Sequence, residues 1–446
     1  MKLDSFIDKV FNKCTELNLT EFEIYFVSSS NQNIKVFKNN LDSYSDNQNQ
    51  GISLRVKFKN KMGYSYTESL EDEDVELLIN SAIESAKIIE TDDEIEIYEK
   101  KEEYVQLNTY NDALNSISVQ EKIDFLLNLE KYAFELDSRI ISVSHCILGC
   151  GSSERIIRNS KGLNLKEKNN SIYAYISVVA KEKDITKNGS AFIVGNNFQD
   201  FNFKSLAKEA VEEAISKLNS VDNSLFPNSI LIKNKAFADI LGAMAGIFSA
   251  ENVQKGISQF KDKLGTKVAA SNLTIVDNPH LENGYGSSSF DSEGVPTQSK
   301  EIIKNGILNT YLYNLKTAKK DHCKSTGNAA KGSYKGTMGT SPFNLYVEKG
   351  QLSFEEILRT LHSSILITSF SGLHSGLNSI SGDFSLAAEG FIIQEGKIKQ
   401  ALNQITVAGN FFQLLNNIEA IGNDLKFNLS AVGSPSLLVT GLTISS

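Results

Sequence analysis

Glu301-Ile-Ile-Lys-Asn-Gly-Ile-Leu-Asn-Thr-Tyr-Leu-Tyr313 sets two β-rich runs, Glu301–Lys304 and Ile307–Tyr313, on either side of an Asn305-Gly306 pair. Asn-Gly takes positive φ at both central positions of a two-residue turn whose twist matches that of paired strands, so the stretch reads as a β-hairpin. Glu395-Gly396 gives a second such signal between Phe391–Ile393 and Ile398. After Pro227 only three helical stretches stand out, at 235–250, at 353–361 behind a Ser353-x-x-Glu356 capping box, and at 410–420. Residues 221–446 therefore read as a β-rich domain, barrel-like or a strongly curved sheet, with a few helices packed against it.

Upstream the texture is α+β. Leu3, Phe6, Val10, Cys14 and Leu17 recur at helical spacing, and Phe22, Ile24 and Phe26 then alternate with polar residues at the strand period. More strand is expected around Ile34–Phe37, a hairpin across Lys59–Gly63, and a helix over 70–89 with Ser69 as N-cap and Val75, Leu78, Ala82 and Ala86 on one face. From Glu90 to Glu103 eight acids accompany two lysines, a solvated linker or exposed edge in preference to a cation-binding strip. Ser118-x-x-Glu121 forms a capping box at the head of a helix running to Leu136. Strands are expected from Ile140 to Val194, with turns near Ser160-Lys161-Gly162 and Asn188-Gly189, before a helix over 205–218. A strand meander followed by a helix thus occurs twice, ending alike in Gly63-Tyr-Ser-Tyr66 and Gly189-Ser-Ala-Phe192. The expectation is an N-terminal α+β domain with an antiparallel sheet over 1–220, divisible into halves at 1–105 and 106–220.

The 446 residues are enough for two or three domains, and 41% apolar with 22% charged residues is ordinary for a soluble globular chain. A net charge of −9 repels phosphate and argues against nucleic acid as a partner. The four cysteines, Cys14, Cys146, Cys150 and Cys323, read as reduced thiols. The opening MKLDSFIDKVF carries Asp4 and Asp8 where an export signal needs an apolar run, and the longest apolar segment, Phe237–Ala250, is interrupted by Asp239 and too short to span a bilayer. The expected setting is the cytoplasm, away from membranes.

Motifs for chemistry are sparse. His145, His280, His322, His362 and His374 form no HExxH and no pair at metal-ligand spacing; Cys-x-x-Cys, GxSxG, a Walker loop and GxGxxG after a strand are absent too. Cys146-x-x-x-Cys150 beside His145 lies in a strand pattern in which residues four apart share a face, and Gly284-Tyr-Gly286-Ser-Ser-Ser289 reads as a flexible turn. Phe290-Asp291-Ser292-Glu293-Gly294 places two carboxylates on one side of an extended chain. They either share a proton or a cation, or, the favoured reading, they cap backbone N–H groups before Gly294-Val-Pro296. His374 lies in the glycine-flanked loop Ser371-Gly-Leu-His-Ser-Gly376. Asp291, Glu293 and His374 are the candidate substrate-binding residues. The helix at 235–250 carries Gly242, Ala243, Ala245, Gly246 and Ala250 on one surface, which lets another backbone approach closely in a core or at a subunit interface.

Ser249-Ala-Glu251-x-Val253-x-Lys255-Gly256-x-Ser258, Phe290-Asp-Ser-Glu-Gly294, Ser325-Thr-Gly-Asn328, Gly382-Asp-Phe-Ser385, Ile405-Thr-Val-Ala-Gly-Asn410 and Ser434-Pro-Ser436-Leu-Leu occur in the order that resembles the TldD/PmbA family, in its PmbA (TldE) branch, also labelled modulator of DNA gyrase. The resemblance implies a cytoplasmic zinc metallopeptidase assembled from two related subunits and acting on small or unfolded peptides. In the TldD branch a helix carries HExxxH, a downstream cysteine completes the zinc site, and the glutamate polarises the metal-bound water. Aligned on Val253-x-Lys255-Gly256-x-Ser258, the motif positions here are Leu241, Gly242 and Gly246, and residues 425–436, where the distal ligand is expected, contain no cysteine. The resemblance thus implies no metal ligands and no catalytic residues in this chain, with zinc held by a partner.

Three functions compete. The leading expectation is the non-catalytic subunit of a TldD/TldE-type zinc peptidase, paired with a TldD-like HExxxH subunit. The second is a homodimeric peptide-binding protein of peptidase-like fold, and the third an independent hydrolase using Asp291, Glu293 and His374.

Overall fold

The computed structural model describes residues 2–90, 95–99, 102–223 and 227–445. Part of the acidic run, residues 91–94 and 100–101, lies outside them. Two chain segments of the same design build the N-terminal layer. The first runs α1 (Lys2–Glu16), β1 (Phe22–Phe37), β2 (Asn40–Phe58), β3 (Lys61–Thr67) and α2 (Asp72–Ile88). The second runs α3 (Val119–Leu136), β4 (Ile140–Asn159), β5 (Asn164–Glu182), β6 (Ile185–Gly195) and α4 (Phe203–Ser216). Their strands join into one antiparallel sheet in the order β3-β2-β1-β4-β5-β6, with β1 and β4 paired from Glu23↔Asn159 to Lys35↔Ile147 at the centre. The alternation in β1 and β2 sets Phe22, Ile24, Phe26, Ile52, Leu54 and Val56 against Phe6, Val10, Leu78 and Ile79 of α1 and α2.

Gly63 on β3 and Gly189 on β6 occupy matching places. A methyl at Gly63 would overlap the Ala82 carbonyl and Ala86 amide of α2, and one at Gly189 the Ala210 carbonyl and Ala214 amide of α4. The expected turn at Asn188-Gly189 is therefore absent: β6 runs through it, the chain reverses at Lys183 (φ 54°), and the glycine serves close helix–sheet approach. The capping boxes at Ser118/Glu121 and Ser353/Glu356 both form. Ser69 does not cap its helix, which starts after Glu71; its hydroxyl instead bonds the Asp74 carboxylate at 2.5 Å.

The C-terminal part is a strongly curved, half-barrel sheet facing a second sheet. The curved sheet follows the order Ile418–Ile421, Leu437–Thr440, Ser229–Ile232, Ser363–Ser371, Asp383–Gln394, Ile405–Asn410, Thr443–Ser445, with Lys397–Ala401 also on Asp383–Gln394. The second sheet runs Ile307–Leu308, Lys300–Lys304, Ile275–Asp277, Leu345–Val347, Val432–Ser434, Lys426–Phe427. Both predicted hairpins turn through positive φ, 49° and 80° at Asn305-Gly306 and 47° and 69° at Glu395-Gly396. The strand after Gly306 ends at Leu308, short of Tyr313, because Leu312 leaves the sheet to exchange backbone hydrogen bonds with Phe248 and Ala250.

That exchange also divides the helix expected at 235–250. It becomes α5 (Asn234–Met244), a 3-10 turn over Ala245–Phe248, an extended Ser249 and α6 (Ala250–Gln254). The helix expected at 410–420 closes at Asn416, and a strand takes over at Ile418. Among the described residues two α-helices went unforeseen, Leu315–Lys320 and Leu373–Gly376, because six and four residues are too few to show a period. α5 packs between the Ser363–Ser371 strand and the Val432–Ser434 strand. Among the described residues no helix is long and apolar enough to cross a membrane.

Candidate functional site

The alternation that turns one face of β1 and β2 toward the helices turns Glu23, Tyr25, Ser53 and Arg55 the other way, onto the C-terminal part. Glu23 stands opposite Arg55, Tyr25 opposite Ser53, and Arg55 opposite Tyr64 of β3. Glu23 Oε1 accepts from Arg55 Nε at 3.1 Å and Nη2 at 2.7 Å, while Arg55 Nη1 lies 3.6 Å from Glu293 Oε1. One guanidinium thus clasps two buried carboxylates, one from each part of the chain. β4 adds a second anchor: Arg155 Nη2 donates to the Phe290 carbonyl at 2.7 Å, and its guanidinium lies 4.5 Å from the Phe290 ring centre. The Tyr104 hydroxyl donates to the Gly294 carbonyl at 2.7 Å.

Asp291 and Glu293 are therefore brought together inside this joint, both essentially inaccessible to solvent. Asp291 Oδ1 accepts from the Glu293 and Val295 amides at 2.9 and 3.0 Å, and Oδ2 accepts from the Ala329 amide at 2.9 Å. This is the backbone-capping role expected of turn acids. Glu293 Oε2 accepts from the Leu315 amide at 2.8 Å. Burial pushes both carboxyls upward. Three amide donors pull Asp291 back; the Arg55 charge pulls Glu293 back, while the neighbouring Asp291 charge raises it.

Sequence reading missed the rest of this cluster. Lys331 Nζ donates to Ser53 Oγ at 2.7 Å and stands 4.7 Å from the ring centres of both Tyr25 and Tyr64. Burial, helped by the Arg55 charge, brings its amine down to about 7. The buried Glu23 Oε2 has no hydrogen-bond partner among the described residues. The available signal was the scarcity of arginine: only five occur, and Arg55, Arg155 and Arg158 all fall on strands of this sheet, as expected where planar bidentate pairing is needed.

Lys331 carries a pH dependence. Between about 7 and the ordinary 10.5 the folded chain binds fewer protons at this amine than the unfolded chain, so stability rises with pH across that window. In urea titrations the Lys331→Met variant is expected to lose this part of the rise. An identical slope in the variant and the parent would remove Lys331 as its source.

His374 is not part of the cluster. It sits exposed on the one-turn helix Leu373–Gly376, and the hydrogen bonds and ion pairs of Asp291 and Glu293 run to other segments. No hydrolytic trio of these three residues is assembled. Cys146 is buried in the core beneath α3 and α4, Cys150 is partly buried beside it, and His145 faces out of the opposite side of β4.

A cavity of about 890 Å3 opens beside the joint, walled by β6 on one side and by the Lys426–Phe427 strand on the other. Each is the terminal strand of its sheet.

Compared with known proteins, the sequence matches the PmbA/TldA metallopeptidase C-terminal domain over residues 228–446, the central domain of that family over 112–218 and its domain 1 over 22–86. The chain belongs to the PmbA/TldD family. A Metalloprotease PmbA homolog of Buchnera aphidicola is 31% identical over 309 residues, 69% of this chain and 67% of the relative. The crystal structure of a Thermotoga maritima protein named as a modulator of a DNA gyrase superposes with a TM-score of 0.93 at 31% identity, covering 99% of this chain and 100% of the other. That of TldE from Thermococcus kodakarensis gives 0.90 at 21% identity, covering 98% and 100%, a likeness of fold.

The PmbA/TldD fold brings together the segments that the family resemblance singles out for zinc. Gly242 faces Val432, whose side chain lies 3.5 Å from where a Cβ on Gly242 would stand. Leu241 is fully buried, and a Cβ on Gly246 would meet the Asn252 side chain at 3.4 Å. Leu, Gly and Val offer no donor atom, and among the described residues no cluster of three His, Cys, Asp or Glu side chains could hold a metal. The residues present at this place do not fit a zinc ion.

Proposed function

We propose that this chain is the non-catalytic subunit of a two-subunit PmbA/TldD-type peptidase, working in the cytoplasm beside a TldD-like subunit that holds the zinc. The observation that carries this reading is the meeting of α5 with the Val432 strand. The fold keeps the helix and the downstream strand in contact, yet fills the motif positions with Leu241, Gly242 and Gly246 and supplies no cysteine between 425 and 436. A chain that retains the whole architecture without ligands contributes shape, by seating the partner and enclosing peptide. Four free cysteines, two of them buried, agree with a reducing compartment.

Metal analysis tests the reading. After extensive dialysis against a weak chelator, the purified chain is expected to retain no stoichiometric zinc. One tightly held zinc per chain would overturn the assignment and make this the catalytic partner.

A further inference from the structure

We propose that the bare stretch of β6 at Phe192 and Val194 is a docking edge for an extended peptide, which adds there as a further strand with apolar side chains at alternate positions. The inference deepens the reading of the chain as a peptidase subunit by placing the substrate on it. In an antiparallel strand, alternate residues direct both N–H and C=O away from the neighbouring strand. On β6 the register with β5 is unbroken, and the outward bonds of the Asn188 carbonyl and the Ser190 amide set residues 188, 190, 192 and 194 in the outward row, with Asn196 just past the strand's end.

The ends of that row are closed. The Asn188 carbonyl accepts from Lys217 Nζ at 3.1 Å, the Ser190 amide donates to Glu213 Oε2 at 2.8 Å, and the Asn196 carbonyl accepts from Asn111 Nδ2 at 2.7 Å. Between them, the amides and carbonyls of Phe192 and Val194 have no protein partner among the described residues. Proteins usually blunt such edges against strand addition. Here two flanks are blunted by α4 and by Asn111, and the gap opens into the 890 Å3 cavity. An unpaired donor–acceptor row two residues long is complementary to the main chain of an extended peptide and to little else.

Side-chain parity sets the preference. Ala191 and Ile193 pack toward the α3/α4 core, so Phe192 and Val194 stand on the opposite face, where Leu281, Tyr285 and Phe427 also line the cavity. The ammonium groups of Lys235 and Lys426 lie 6.0 and 5.8 Å from the Phe192 ring centre. Of the ionised side chains in the lining, Lys426 is already paired with Glu209 at 2.9 Å, which leaves Glu282. Recognition therefore rests on main chain and alternating apolar groups, a sequence-tolerant mode.

Val194→Pro tests this, because the ring removes an outward N–H without touching the bonds to β5, and proline is tolerated on edge strands. A labelled peptide of alternating leucine and serine is titrated by fluorescence anisotropy against the chain and the variant. Binding is expected to weaken about tenfold, the loss of one main-chain hydrogen bond. On the unaltered chain, N-methylating the peptide's alternate amides should weaken binding likewise, and added peptide should slow hydrogen exchange at Phe192 and Val194; these readouts stand if the proline variant fails to fold. Equal affinity for a folded variant, or unchanged exchange at both amides, overturns the proposal. Complex formation with an HExxxH relative is measured on the same samples. If the complex forms while the edge is indifferent to peptide, this inference alone fails; if the edge binds peptide and no complex forms, the subunit reading fails instead.

Discussion

Mixed with a relative that carries HExxxH on the corresponding helix, the chain is expected to form a stable complex that cleaves unstructured peptides, and alone to cleave none. The difference is all or nothing because chemistry of this class needs a water activated by the metal, and the place where that metal belongs is filled here by Leu241, Gly242 and Val432. Writing the motif back as Leu241→His, Gly242→Glu and Gly246→His should not give a peptidase. The distal ligand would still be missing, as would the groups that orient imidazoles around a zinc, whose loss costs about 10–100-fold in affinity or activity. The new glutamate would also press on Val432, whose side chain lies 3.5 Å from where a Cβ at this position would stand. Light scattering on the mixture, followed by a peptide-cleavage assay with and without chelator, decides the matter. Cleavage by the chain alone at the mixture's rate, or the absence of a complex with any HExxxH relative from the same cell, would sink it.

Arg55→Met is expected to destabilise the fold by about 3–5 kcal/mol, because it strands two carboxylates, Glu23 and Glu293, in a buried joint. The loss should be greatest at mildly alkaline pH and smaller at mildly acidic pH. Without the guanidinium both carboxyls gain further reason to bind a proton, and burial already raises them. Adding Glu293→Gln to the variant should return part of the stability by removing one stranded charge. Urea unfolding of the three proteins at both pH values measures this. A loss below about 1 kcal/mol at either pH would show that Arg55 behaves as an ordinary surface ion pair.

Local signals were read correctly where their cause is local. The Asn305-Gly306 and Glu395-Gly396 turns and the Ser118 and Ser353 caps depend on neighbours within three residues, and all four formed. The alternation of Phe22, Ile24 and Phe26 placed one face of β1, and the α+β layout followed. Errors arose where a distant segment intervened. Leu312 turned the chain at Ser249 and cut the helix at 235–250. Gly189 looked like a turn residue because the helix pressing on it comes later in the chain. The joint was least legible of all: Glu293 meets Arg55 at a sequence separation of 238, Lys331 meets Ser53 at 278, and nothing near any of them announces the meeting. The candidate pair Asp291 and Glu293 was found, but as two turn acids; that they lock the N-terminal sheet to the C-terminal part needed the fold.

The central pairing of β1 with β4 has a consequence for synthesis. In the order β3-β2-β1-β4-β5-β6, the first three strands can zip together as soon as Thr67 is out, but the far edge of β1 must wait for Asn159. At about 5–20 residues per second the ribosome leaves that edge uncovered for several seconds or longer. An exposed edge of that length would ordinarily recruit other nascent chains. Its middle reads Ser28-Ser-Ser-Asn-Gln-Asn33, six consecutive polar residues without a β-branched or aromatic side chain. Such a run gives a neighbouring chain little to stick to, so the same segment that looks unremarkable in the finished sheet guards the half-made protein until its second half arrives.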